Sequence, residues 1–214
     1  MSENVQTLSG DTSLNLREFD TPPADPMALL REWLDEAVRR EVREPFAAAL
    51  ATVDEMGRPS TRILLVKDLD DRGLVFTSFR GSRKGRDLAA RPVASMTFYW
   101  RETLQQITLS GTVEELTAEE SDDLFARRPL AAQATTAVSR QSRPLDDEAA
   151  LRARARELVE TGGPVPRPAE WTGYRLVPQA VEFWYGSPDR LHRRLAYECS
   201  AQNAHAWTHQ RLYP

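Results

Sequence analysis

Between Thr61 and Lys84 the chain gathers the groups that an anion needs. The run Thr61-Arg-Ile-Leu-Leu-Val-Lys67 carries a cation near each end, Arg62 and Lys67. After a turn signal at Asp70-Asp-Arg-Gly73, a second β-rich run empties into Thr77, Ser78, Gly81, Ser82, Arg83 and Lys84, just before helix-compatible residues. Such a region offers hydroxyls, glycine-freed amides, a helix N-terminus and up to four cations. A phosphorylated ligand suits it, because backbone N–H groups and the helix dipole add to the side-chain charge. On the residue pattern alone, a solvated basic turn at a barrel rim is the alternative.

A second group of polar side chains lies in Asp189-Arg-Leu-His-Arg-Arg194. Read as a strand, it places Arg190, His192 and Arg194 on one face and Leu191 and Leu195 on the other. That face is either solvated or functional. Glu182-Phe-Trp184 supplies aromatics that fit a core or the wall of a flat ligand site. Gln105-Gln106 and Gln141-Ser142 offer amides and a hydroxyl. Of the three histidines, His205 and His209 stand four apart, but the tail reads as a strand and no third ligand is near, so no metal site is expected.

These groups need a frame. Asp25-Pro26 reads as an N-cap with proline in the first turn, opening a helix to about residue 42 whose stripe is Met27, Leu30, Trp33, Leu34, Ala37 and Val38. Short strands follow at about 47–53, 61–68, 74–79, 93–100 and 104–115, with the Asp70–Gly73 turn joining the second and third as a hairpin. A helical insert at roughly 83–91 interrupts them. Thr117-Ala-Glu-Glu120 is a capping box, Pro129 ends or restarts the helix after it, and 146–159 is a charged helix. Strands at about 172–177, 180–185, 191–198 and 205–212 complete the chain. Consecutive strands with tight turns predict a mainly β protein with flanking helices, an antiparallel sheet closed or nearly closed into a barrel. Residues 1–25 read as a mobile arm, and residues 26–214 as a single domain.

The 214 residues suffice for one sizeable core. A net charge of −4 gives no global field for nucleic acid or an anionic membrane surface. Cys199 is the only cysteine, so no disulfide framework or thiolate metal site is expected. With no bilayer-length apolar run and no signal-peptide core, a cytoplasmic protein is expected. Glycine-rich nucleotide loops, His-Glu-x-x-His and Gly-x-Ser-x-Gly are absent.

Taken together, the separated motifs resemble the pyridoxamine 5′-phosphate oxidase family of FMN-binding split β-barrels, from about Pro23 to Pro214. The residues that carry the likeness are Ala24-Asp-Pro26, Arg62-Ile-Leu-Leu-Val-Lys67, Gly81-Ser-Arg-Lys84, Gln106, Ser139-Arg-Gln-Ser142, Glu182-Phe-Trp184, Arg190-Leu-His192, Arg194 and the terminal Arg211-Leu-Tyr-Pro214. The resemblance implies that FMN is held by Arg62, Ile63, Leu64, Leu65, Val66, Lys67, Thr77, Ser78, Arg83, Lys84, Gln106, Trp184 and Arg194. Gln141 and Ser142 would reach it from the partner subunit. It implies a homodimer with FMN at the interface, so that a monomer would hold flavin poorly. Arg190 and His192 would be the catalytic pair facing the substrate, with Lys67 beside them and His192 a candidate proton acceptor.

One departure bears on the substrate. Oxidases of pyridoxine or pyridoxamine phosphate grip the substrate phosphate with Tyr, Arg and Ser spaced four apart, a spacing that shares one helical face. Here the same positions are Leu124, Arg128 and Ala132. Two hydroxyl donors to a dianion, at roughly 1.5–3 kcal/mol each, are worth about a hundred- to ten-thousand-fold in affinity. The stretches Thr21-Pro-Pro-Ala-Asp-Pro26, Val42-Arg-Glu-Pro45, Tyr99-Trp-Arg-Glu-Thr-x-Gln-Gln-Ile107 and Ser139-Arg-Gln-Ser142 are instead similar to the flavin oxidases of phenazine biosynthesis. That likeness implies aromatisation of a reduced phenazine carboxylic acid with dioxygen as final acceptor and hydrogen peroxide as product. Arg128 would meet a carboxylate, with room for a flat ring beside Leu124 and Ala132. A pyridoxine phosphate oxidase with a rearranged grip, and a flavin-binding module without turnover, are the alternatives.

Overall fold

The computed structural model describes residues 8–200 and 203–214, the side chains of 203–205 apart. Helix α1 (Pro26–Arg39) begins where Asp25 accepts a hydrogen bond from Met27 N at 2.8 Å. Its stripe of Met27, Leu30, Trp33, Leu34 and Ala37 is buried, whereas Val38, expected in the same stripe, is exposed.

The strands are β1 (Ala47–Val53), β2 (Pro59–Leu65), β3 (Asp68–Asp70), β4 (Gly73–Phe79), β5 (Val93–Trp100), β6 (Gln105–Glu115), β7 (Trp171–Tyr185), β8 (Arg193–Ser200) and β9 (Asn203–Leu212). All pair antiparallel in one sheet ordered β2-β1-β5-β6-β7-β4-β3, with β8 on the second half of β7 and β9 on β8. Helices α2 (Arg83–Ala90), α3 (Ala118–Ala126), α4 (Leu130–Val138) and α5 (Glu148–Thr161) sit between strands.

Two pairings differ from the sequence expectation. The Asp70–Gly73 turn closes its hairpin on the short β3, while β2 crosses to β1. The predicted 61–68 strand therefore breaks at Val66–Lys67, where Val66 N bonds to Phe46 O and Lys67 N to Val75 O. That corner joins the two ends of the sheet order and closes the barrel. Secondly, the strands expected at 172–177 and 180–185 form one long strand, β7. Pro178, which lacks an N–H, lies opposite Gly111 at a register shift, where a Cβ on Gly111 would meet Val177 O at 2.0 Å.

Leu50, Phe76, Met96, Phe98, Ile107, Leu109, Phe183, Leu195 and Tyr197 fill the barrel, capped by Trp33 of α1. A second core of Val75, Leu116, Leu124, Phe125, Val165 and Trp171 lies between α3 and the sheet. The expected arm is corrected from residue 8 onward: Leu8, Leu14 and Leu16 pack on the main core and Phe19 is fully buried. Apolar side chains spaced through a polar tract give it somewhere to dock. Residues 1–7 lie outside the described residues.

Gly73 tests the closure, since its φ is +152° and a Cβ would meet Leu176 O at 2.0 Å. Gly73→Ala is expected to lower stability by more than about 1 kcal/mol in urea unfolding; an unchanged midpoint would show that the β3–β4 turn is not under that constraint.

Candidate functional site

The barrel closes only at its corner. Beyond Val66–Lys67, β2 pairs with β1 alone, and the end of β4 from Phe76 to Phe79 pairs with β7 alone. Two strand edges therefore open away from each other, each with unpaired backbone N–H and C=O groups. The site occupies this gap.

Along β2, Arg62 and Leu64 turn inward while Ile63 and Leu65 are exposed, and Val66 is buried at the corner. Arg62 is fixed by donation to Leu50 O at 3.2 Å, Thr52 Oγ1 at 2.8 Å and Ser60 Oγ at 2.5 Å. Asp87 of α2 accepts from Thr52 at 2.7 Å and lies 4.0 Å from Arg62. Burial lowers the Arg62 pKa, with Asp87 opposing the shift.

Ser82 caps α2, accepting from Gly85 N at 3.2 Å. A Cβ on Gly85 would meet Phe79 O and Arg80 O at 2.3 Å, so the helix start lies against the β4 end as closely as backbone allows. Lys84 is buried and donates to Ser78 Oγ at 3.0 Å, and Ser78 lies 3.0 Å from Ser82 Oγ. Burial first, and Arg62 second, push the Lys84 pKa down to about 8, with no carboxylate offsetting them. Arg62, Ser78, Ser82, Arg83, Lys84 and the α2 N-terminus thus converge as a cationic cradle. Sequence reasoning missed Thr52, Ser60 and Asp87, whose distance along the chain gives no local signal. Ser82 was legible as a hydroxyl directly before a helix.

Gln141 and Ser142 lie beside the cradle of their own chain: Ser78 Oγ donates to Gln141 Oε1 at 3.3 Å and Arg83 N to Ser142 Oγ at 3.2 Å. Helix α3, which precedes them, packs against β7, and α4 reaches the same second core through Leu130 and Ala137.

Thr77 faces away from Ser78, on the side of Val75 and Phe79, toward the second core. There Arg128 lies over the rings of Trp171 and Phe125 at 5.1 and 5.7 Å, and its buried Nη1 has no hydrogen-bond partner among the described residues. Burial lowers the Arg128 pKa; burial and then Arg128 itself lower that of Lys67. Leu124, Arg128 and Ala132 do not share one helical face. Pro129 ends the run, leaving Leu124 buried in α3, Arg128 in the joint and Ala132 in α4.

The remaining residues assemble at the other end of β7. Gln106 pairs with Trp184, and Trp184 with Arg194. Arg194 is held by Glu182 through two bonds of 2.7 and 3.0 Å and by Tyr213 O at 3.1 Å, so much of its guanidinium is already committed. Arg190 and His192 are not on a strand: β8 starts at Arg193, and both sit in the connecting loop, Arg190 with φ +68°. The turn from Ser187, whose O accepts from Arg190 N at 3.1 Å, holds this stretch out of the ladder.

His192 packs on Trp184 at 4.8 Å, and its Nδ1 accepts from Ser187 N at 3.0 Å. With Nδ1 engaged as an acceptor, the neutral ring carries its proton on Nε2. In this arrangement the ring nitrogen left free is a donor.

Thr172, opposite Ser78, and Trp184 stand twelve residues apart on β7. That separation is roughly 40 Å of strand. The two groups of residues therefore stand near opposite ends of β7.

Among the described residues there is no group of side chains suited to a metal ion and no helix long and apolar enough to cross a membrane. Comparison with known proteins gives the fold a class. Residues 34–162 match the family model "Pyridoxamine 5'-phosphate oxidase", and residues 171–214 match "Pyridoxine 5'-phosphate oxidase C-terminal dimerisation region". With the gap and its cradle, these define a homodimeric, mainly β split-barrel oxidoreductase of a flavoprotein type. The chain belongs to the pyridoxamine 5′-phosphate oxidase family.

Within it, a dihydrophenazinedicarboxylate synthase of Pseudomonas chlororaphis is 44% identical over 98% of this chain and 93% of its own. A pyridoxine/pyridoxamine 5′-phosphate oxidase of Burkholderia multivorans is 47% identical over 94% of each. The crystal structure of PhzG from Burkholderia lata in complex with tetrahydrophenazine-1-carboxylic acid superposes with a TM-score of 0.92 at 44% identity, covering 96% of this chain and all of that one. Overall identity does not choose between the two activities.

The cradle fits the phosphate of a flavin mononucleotide, because it sets a buried, unneutralised ammonium beside two guanidinium groups and a helix N-terminus. A bound phosphate raises the Lys84 pKa above its ligand-free value near 8. FMN affinity is therefore expected to be level from about pH 7 to 8, where the phosphate is a dianion, and to fall as pH rises beyond that, while riboflavin, lacking the phosphate, shows no such fall. Lys84→Met should weaken FMN by roughly ten- to hundred-fold at pH 7 in a fluorescence titration. Parallel FMN and riboflavin pH profiles would exclude Lys84 as the phosphate ligand.

Proposed function

We propose that the protein is an FMN-dependent oxidase of phenazine biosynthesis that converts a reduced phenazine carboxylic acid to a more conjugated product. The observation that carries this reading is the surroundings of Arg128. Its guanidinium lies 5.1 Å from the Trp171 ring and 5.7 Å from the Phe125 ring, with a buried Nη1 that has no partner among the described residues, the Lys67 cation close enough to feel its charge and buried Leu124 in the same apolar cluster. A planar carboxylate matches a guanidinium fork, and a flat apolar ring system matches these walls. A phosphate dianion finds no hydroxyl at residues 124 and 132.

Bound FMN would accept a hydride from the reduced ring and return the electrons to dioxygen, giving hydrogen peroxide. The chain's own residues position the partners. Arg62, Ser78, Ser82, Arg83 and Lys84, with Gln141 and Ser142 alongside, anchor the phosphate, while Thr77 and the open backbone edge of Ile63 to Val66 border the flavin ring. Lys67 and Arg128 hold the substrate carboxylate. From a two-fold partner come Gln106, Trp184, Arg194 and the Arg190–His192 loop, which completes each site at the dimer interface. Trp184 supports the His192 ring, whose Nε2–H donates to the substrate; the substrate proton leaves to solvent.

The second reading is a pyridoxine or pyridoxamine 5′-phosphate oxidase, favoured by the 47% identity to the Burkholderia multivorans enzyme and by the retained Lys67 and Arg128. Purified protein given reduced phenazine carboxylate without oxygen is expected to bleach, and to regain its yellow colour in air. Arg128→Ala should raise KM for that substrate by roughly ten- to hundred-fold, the loss of one charge-assisted contact. Rapid formation of pyridoxal phosphate from pyridoxine phosphate, with no turnover of the phenazine, would establish the second reading instead.

A further inference from the structure

The loop that carries Arg190 and His192 has little support of its own. Its internal contacts are Ser187 N to His192 Nδ1, Ser187 Oγ to Asp189 Oδ1, Leu191 N to Asp189 Oδ1 at 2.9 Å and the Arg190 N turn bond. Among the described residues, Gly186 N, bonded to Leu104 O at 2.9 Å, is the backbone tie to a neighbouring element, and Leu191 is 68% exposed. Its direction is therefore set by the stem, where Tyr185 pairs with Arg193.

Both stem side chains point away from the Trp184–Arg194 face, onto the tract from Leu8 to Asp20. The Tyr185 hydroxyl accepts from Leu14 N at 3.2 Å and donates to Asp11 O at 3.1 Å. Arg193 donates to Leu16 O at 3.2 Å and to Asp20 Oδ1 at 2.8 Å, with its guanidinium 4.7 Å over the Phe19 ring. Phe19 is anchored in turn against Trp33 of the main core. At its other end the tract is locked to the turn before β6: Asp11 N bonds to Glu102 O at 2.8 Å, and a Cβ on Gly10 would meet Arg101 O at 2.2 Å. That turn also supplies Leu104 O to the loop.

We infer that Arg193, clamped with Tyr185 onto the 8–20 tract, is a positioning residue for the reaction: it braces the hairpin from behind and so keeps His192 in its donor tautomer. Arg193 lies between His192 and Arg194 in the chain yet faces the opposite way. Arg193 therefore acts without touching substrate. The inference rests on the reading above, in which Arg190 and His192 meet the substrate.

The test uses the full-length, FMN-loaded homodimer and the variants Arg193→Ala, Arg193→Lys and Tyr185→Phe. Ring 15N shifts of His192, assigned with His192→Asn, report its tautomer independently of turnover. The parent protein is expected to show an unprotonated Nδ1 and a protonated Nε2. Arg193→Ala should average the two nitrogens and lower kcat on the reduced phenazine carboxylate on the order of ten- to hundred-fold, with KM little changed. Arg193→Lys should recover part of the loss, and Tyr185→Phe, which keeps the buried ring, should show a milder form of both effects. FMN affinity should hold in the variants, because the phosphate cradle lies at the far end of β7. An unaltered tautomer in folded Arg193→Ala, or in Tyr185→Phe should the former not fold, overturns the brace. A tautomer that averages while kcat stays unchanged upholds the brace and removes Arg190 and His192 from the reaction.

Discussion

The corner at Val66–Lys67 governs this molecule. A nine-stranded antiparallel sheet must cover or close its edges. Here the chain leaves β2 and enters β3 through two residues whose N–H groups bond to opposite ends of the sheet, Val66 to Phe46 and Lys67 to Val75. Closure is thus local, and the strands diverge from it. The diverging edges leave backbone polar groups that need partners. A flat ligand with hydrogen-bonding edges can satisfy them where another strand does not.

Charge follows from that geometry. Arg62 points into the barrel because its position in β2 alternates inward, and it is tolerated there by Thr52, Ser60 and Asp87. Among the described residues Lys84 has no such carboxylate and reaches Ser78. An ammonium buried under those conditions is costly in the free protein, and an arriving dianion relieves that cost. Arg128 repeats the arrangement on the other side of β4, with aromatic faces where the cradle has hydroxyls. The two cationic places therefore suit different anions: one a tetrahedral phosphate met by amides and hydroxyls, the other a planar group met by a fork.

The length of β7 sets the two groups of polar residues apart within one chain. Its bulge beside Pro178 keeps fifteen residues in a single ladder, with the cradle near one end and the Trp184 hairpin at the other. Two sequential short strands, each turning back, would have allowed both groups to meet within a monomer. A continuous strand does not. Residues 171–214, which match a dimerisation region, contain all of the second group except Gln106.

Much of this was legible in the amino-acid order. The N-cap at Asp25, the capping box at Thr117, the turn at Asp70–Gly73 and the gathering of hydroxyls and cations before α2 are local signals, each fixed by backbone hydrogen bonding within a few residues. The mainly β class and the anion-seeking stretch depend on nothing more distant. Tertiary structure alone decided the rest. Gln141 and Ser142 lie beside the cradle of their own chain because α3 packs against β7 and α4 reaches the same second core. Leu124, Arg128 and Ala132 lose their shared face because Pro129 breaks the helix between them. His192 is a donor because Ser187 N occupies its Nδ1, a contact across a turn that reads in sequence as a strand. Local patterns specify where hydrogen bonds within an element go; which nitrogen is left free, and which cation is left unpaired, depends on what distant segments bring to it.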